Sequence, residues 1–148
     1  MTVAPTQTRT LRILVAEDSR DLQQLMWITL HLGGFEVVGQ AYDGRATLEL
    51  VRELQPDILL LDLHMPEVGG FEVLAQIQAI APRCKVVVHS AISAMSATDA
   101  TLLGGAVAYI EKGVSWRSIV AHLNRVASAG KMRPVRPYPL QRDYPDDC

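Results

Sequence analysis

Short apolar runs alternate with amphipathic stretches along the whole of this chain. "RILVAE" (12–17), "FEVVGQA" (35–41), "DILLLD" (57–62), "KVVVHS" (85–90) and "AVAYIE" (106–111) have strand length. Most show little alternation of apolar and polar residues, as strands covered on both faces do. Between them the apolar positions recur with helical period. In 19–34, Leu22, Leu25, Met26, Thr29 and Leu30 share a face, and Gly33-Gly34 gives a stop. After Asp43-Gly44, Ala46, Leu50 and Leu54 recur every fourth residue until Pro56. A third helix is predicted over 71–81, ended by Pro82. A last one is predicted over 115–128, with Ser115 as N-cap and Ile119, Leu123 and Val126 turned inward. The stretch 93–105 predicts a softer fourth helix, rich in Ser, Thr and small residues. Five strands alternating with five helices imply an α/β domain with a doubly wound parallel sheet, because parallel strands need crossover connections.

Composition narrows the class. The chain has 148 residues, enough for one domain with a substantial core, and is 49% hydrophobic and 20% charged. A net charge of −2 creates no field toward nucleic acid or membrane. Residues 1–10 lack the apolar core of a signal peptide, and no run reaches membrane-spanning length. Cys84 and Cys148 form no metal-ligand pattern and read as reduced thiols of a cytoplasmic protein. The predicted organisation is an N-terminal extension (1–10), a folded domain (11–130) and a Pro-rich, disordered tail (131–148). The tail also reads as a docking segment or the start of a linker.

Ligands of an open α/β sheet bind beyond the carboxyl ends of its strands. Those ends carry Glu17 and Asp18 after the first strand, Asp62 after the third, Ser90 after the fourth and Lys112 after the fifth. Each has an ordinary structural reading alone; together they make a constellation. Three carboxylates in one pocket repel unless a cation joins them, and Lys112 supplies only one positive charge. A hard divalent cation such as Mg²⁺ fits, bound through oxygen ligands and water. The chain has no GxxxxGK[ST] loop, so nucleotide binding is not indicated. A carboxylate beside a metal, a lysine and a hydroxyl suits covalent receipt of a phosphoryl group.

The motifs "VAEDS" (15–19), "LLLDLHMPEVGGFEVL" (59–74), "VVHSA" (87–91) and "AYIEKG" (108–113) stand in an order that resembles the receiver domain of two-component response regulators. The resemblance implies a flavodoxin-like fold with strand order 2-1-3-4-5. It implies Asp62 as phosphoacceptor, Asp18 and Asp62 as Mg²⁺ ligands, Glu17 through water and the backbone carbonyl of His64 as a further ligand, with Mn²⁺ as a substitute ion. Ser90 would be the switch hydroxyl, Lys112 the phosphate-pairing lysine and Tyr109 the aromatic that changes rotamer. The donor would be a sensor histidine kinase or phosphotransfer protein. The output would be an unidentified protein target, reached through the face of the fourth helix, fifth strand and fifth helix, with homodimerisation on phosphorylation as one form. Gly113 stands where many receivers have proline. Its freedom supplies the turn by another route.

Three readings stay open on the residues alone: a stand-alone phosphoacceptor, a receiver cut from a longer, for instance DNA-binding, regulator, and a phosphatase with a nucleophilic aspartate. His64 either positions or excludes attacking water or is an exposed histidine without kinetic role. His89 reads as a hydrogen-bonded interior residue. His31 and His122 read as surface residues on helices.

Overall fold

All five apolar runs form strands in the computed structural model, which describes residues 10–91 and 104–128. They are β1 (Arg12–Ala16), β2 (Glu36–Ala41), β3 (Ile58–Leu61), β4 (Lys85–Ser90) and β5 (Ala108–Glu111). Every pair is parallel, in the order β2-β1-β3-β4-β5. The helices are α1 (Arg20–Leu32), α2 (Gly44–Leu54), α3 (Gly70–Ile80) and α4 (Trp116–Ser128). The soft segment 93–105 lies outside the described residues apart from Gly104 and Gly105, and so do the extension before Thr10 and the tail. Among the described residues no helix is long and apolar enough to cross a membrane.

Both faces of the sheet's centre are covered, which is why β1, β3 and β4 carry near-continuous apolar runs, whereas the edge strand β2 is only partly buried. Leu14, Leu59, Leu61, Val86 and Val88 pack with Val73, Leu74 and Ile77 of α3 and Val51 of α2. Ile13, Val15, Leu60, Val87 and Ile110 pack against Met26 and Leu30 of α1 and Ile119, Leu123 and Val126 of α4. Strand β3 sits at the centre with all four side chains buried. At roughly 1.5–3 kcal/mol for each such side chain, that burial makes its carboxyl end a rigid platform.

Local chemistry sets the helix starts. Ser19 accepts from the Leu22 N–H and Asp43 from the Ala46 N–H, while Ser115 accepts from the Ser118 N–H as the sequence predicts. At the far end of α4, the Lys85 ammonium of β4 donates to the Val126 carbonyl at 2.9 Å.

Two predicted placements need correction. Leu25 is half exposed at 51%; the buried stripe of α1 is Gln23, Met26, Thr29 and Leu30. On α2 the predicted face does pack on the sheet, Ala46 and Leu50 lying partly buried against the core beside the buried Gly44, Thr47 and Val51. His122 is buried, not at the surface, because α4 turns it inward beside Leu123.

The β3–α3 connection is tight. A methyl group at Gly70 would lie 2.5 Å from both the Asp62 carbonyl oxygen and the Leu63 Cα, that is, against backbone. Gly70→Ala should therefore lower stability by about 1–3 kcal/mol in urea titrations, as overpacking against an immovable neighbour does. An unchanged denaturation midpoint would show that the loop yields.

Candidate functional site

The carboxyl ends of β1, β3, β4 and β5 bring Glu17, Asp62, Ser90 and Lys112 together. The parallel register explains how. Ala16 pairs with Leu61, Leu61 with Val88, and Ser90 with Glu111, so the residues that leave these strands emerge at one edge. The Lys112 N–H donates to the Ser90 carbonyl at 2.8 Å, which ties the lysine to the end of β4. Gly113 follows with φ of +104°, and all peptide bonds described are trans, so a left-handed glycine makes the turn.

The Lys112 ammonium donates to both Glu17 oxygens at 3.1 and 3.0 Å and to Asp62 Oδ2 at 3.0 Å. Asp62 Oδ1 accepts from the His64 N–H at 3.1 Å. Glu17 and Asp62 are buried, whereas Asp18 and His64 are exposed. One carboxylate oxygen from each of Glu17, Asp18 and Asp62 lies within 4.8 Å of the others. Three acids face one ammonium, all through hard oxygen donors, so the residues present fit a Mg²⁺ or Mn²⁺ ion.

The shortage of positive charge shows in the titration of the pair. Burial, and then the hydrogen bond with Asp62, push the Glu17 carboxyl up to about 7, against the lowering effect of Lys112. Burial opposes ionisation of Asp62 too. The hydrogen bonds from Glu17, the His64 N–H and Lys112 outweigh it and hold Asp62 below the usual carboxylate range. Lys112 loses solvation, but its bonds to Asp62 and Glu17 raise it overall. Below about 7 the proton of the pair thus favours Glu17 over Asp62. Cation binding at these acids would release that proton.

Behind the acids, Ser90 is fully buried and Tyr109 is 5% exposed, its phenol hydrogen-bonded to the Ser90 side chain. His89 is interior, as predicted, but no hydrogen bond to its ring occurs among the described residues. It borders a cavity of about 10 Å³, near the room one water needs, with Glu17, Asp62, Leu60 and Met26. Burial and the charge of Lys112 push its imidazole down to about 4 against the pull of Asp62, so it stays neutral. Reading the sequence missed one residue at this edge. Gln23, buried in α1, donates to three backbone carbonyls there. Its only signal was a polar residue on the inward stripe of an amphipathic helix.

Residues 13–124 match the family model for the response regulator receiver domain. The chemotaxis protein CheY of Thermotoga maritima is 31% identical over 116 residues, covering 78% of this chain and 97% of CheY. Response regulator GacA of Pseudomonas aeruginosa is 32% identical over 118 residues, 78% of this chain but 55% of GacA. The signal receiver domain of the putative response regulator NarL from Mycobacterium tuberculosis has the same fold, with a TM-score of 0.77 at 30% identity over 82% of this chain and 98% of that one.

Glu17 and His89 act on stability in opposite directions. Between about 4.5 and 7 the folded chain keeps a proton on Glu17 that the unfolded chain has lost, so stability falls as pH rises through that window. Between about 4 and 6.5 the unfolded chain holds a proton on His89 that the folded chain lacks, so stability rises. In chelator, urea midpoints of the wild-type chain should change little from pH 5 to 6.5. His89→Leu should expose the fall and Glu17→Gln the rise. Parallel profiles for all three chains would contradict these environments.

Proposed function

The chain belongs to the response-regulator receiver family, and from that premise we propose that it is a phosphoacceptor switch in which Asp62 receives a phosphoryl group from a phosphohistidine on a sensor histidine kinase or phosphotransfer protein. The observation that carries this reading is the contact of one ammonium, Lys112, with both Asp62 and Glu17 beside an exposed third acid, Asp18. An ionised carboxylate at the end of an immobile strand is poised as a nucleophile without side-chain rearrangement.

An Asp62 oxygen attacks phosphorus and the phosphorus–nitrogen bond to the donor breaks. The electron pair returns to the imidazole, which takes its proton from solvent. Asp18, Asp62 and the backbone carbonyl of His64 would hold Mg²⁺, with Glu17 reaching it through water. Mg²⁺ there would supply charge neutralisation of the phosphoryl oxygens. Lys112 stays within reach of the Asp62 carboxylate throughout and pairs with the charge that the phosphoryl group brings. Phosphoryl transfer asks little more of a protein than such positioning and neutralisation.

Ser90 then has two hydrogen-bond partners to choose between. Without phosphate it is bonded to Tyr109; a phosphoryl group on Asp62 offers a stronger, charged acceptor. Turning Ser90 toward it costs Tyr109 its partner inside the core. A rearrangement of the ring follows, and the surface built on β5 and α4 reports it. A second reading, a receiver joined to an output domain in a longer regulator, is favoured by GacA, of which this chain spans about half. A phosphatase built on an aspartate nucleophile commonly uses a second acid two residues on, and here that position is His64.

Incubation with acetyl phosphate and Mg²⁺ should add one phosphoryl group to the wild-type chain by mass spectrometry, and none to Asp62→Asn. Undiminished, Mg²⁺-dependent labelling of Asp62→Asn would overturn the assignment of Asp62.

A further inference from the structure

Gln23 lies on the inward stripe of α1 and is 1% exposed. Its amide nitrogen is 3.0 Å from the Val15 carbonyl, 3.1 Å from that of Glu17 and 2.8 Å from that of Ala41. None of these belongs to its own helix. Val15 and Glu17 flank the last residue of β1, and Ala41 is the last residue of β2. The pairing of these strands runs out here, its final contact being the Glu17 N–H to the Ala41 carbonyl at 2.9 Å. The side chain therefore pins the backbone at the point where β1 leaves the sheet, one residue before Asp18. The same turn of α1 is tied to β2 again, because Gln40 donates to the Gln23 carbonyl at 3.3 Å.

The other half of this amide is unmatched. Gln23 Oε1 is buried and has no hydrogen-bond partner among the described residues. A methionine would occupy similar space without stranding an acceptor away from water, a costly omission in a protein interior. What distinguishes glutamine at this position is its pair of N–H donors.

We propose that Gln23 is a positioning residue for the acidic cluster. By holding the carbonyls of Val15 and Glu17 it sets the direction in which the Glu17 and Asp18 side chains leave the sheet edge. The affinity of the cluster for a divalent cation then depends on a side chain bonded only to backbone. The inference rests on the reading of Glu17, Asp18 and Asp62 as a cation site. Partners one layer behind the ligands of a metal site commonly govern affinity by ~10–100-fold.

Gln55 offers an internal control. Its amide also donates to three carbonyls, those of Val51, Arg52 and Ile80, but it lies at the opposite edge of the sheet, where its own carbonyl accepts from Arg12. Mn²⁺ can be titrated into each folded chain and the free ion read by electron paramagnetic resonance, with circular dichroism and urea titration confirming the fold. Gln23→Met should weaken Mn²⁺ binding ~10–100-fold, while Gln55→Met stays within about twofold of the wild type. Gln23→Asn keeps an amide in the core but is too short to span all three carbonyls, and it should weaken binding in the same direction. A folded Gln23→Met or Gln23→Asn chain that binds Mn²⁺ as the wild type does would overturn the inference and leave the cation site standing. Wild-type binding that is absent, or unaffected by Asp18→Asn, would overturn the cation site itself.

Discussion

Glu17 and Asp62, both buried, share the single ammonium of Lys112, and the behaviour of this edge of the sheet follows from that shortage of positive charge. An uncompensated carboxylate in a protein interior is strongly destabilising. Without a cation, burial raises the Glu17 carboxyl to about 7, and its hydrogen bond with Asp62 helps hold Asp62 below the usual carboxylate range. A divalent ion at this edge would do the same job more completely, with the exposed Asp18 as a further oxygen donor. Of the two buried acids, Asp62 is thus the one less readily protonated.

The rest of the fold serves to keep these groups from moving. Asp62 stands at the end of a strand with every side chain buried, and Gly70 lets α3 begin directly over its peptide. Lys112 is fixed to the end of β4 through the Ser90 carbonyl, so Lys112 and Ser90 belong to one backbone unit. Ser90 in turn holds Tyr109 inside the core. A phosphoryl group that drew Ser90 toward Asp62 would change a contact on the β5 side of the sheet without any strand having to shift. The restricted element is the sheet; the adjustable one is a pair of hydroxyls.

Much of this was legible in the sequence, for identifiable reasons. Buried parallel strands announce themselves as apolar runs, and the rule that ligands gather at carboxyl ends put Glu17, Asp18, Asp62, Ser90 and Lys112 at one edge before any coordinates. Capping by Ser115 and the turn at Gly113 followed from local backbone chemistry. Leu25 and His122 were misplaced because periodicity records residue type, whereas burial depends on which neighbours a face meets. Gln23 escaped notice for a different reason. Its partners are backbone carbonyls, which every sequence has, so their convergence appears only in three dimensions.

The proposed site is one cation held by three acids beside the Lys112 ammonium, with Asp62, one of those acids, as the proposed phosphoacceptor. A crystal structure of the chain grown with Mg²⁺ and beryllofluoride, a mimic of the phosphoryl group, addresses it directly. The ion is expected between Asp18, Asp62 and the His64 carbonyl, and the fluoride group on Asp62 with Lys112 against it. An ion bound elsewhere, or a fluoride group on another side chain, would contradict it.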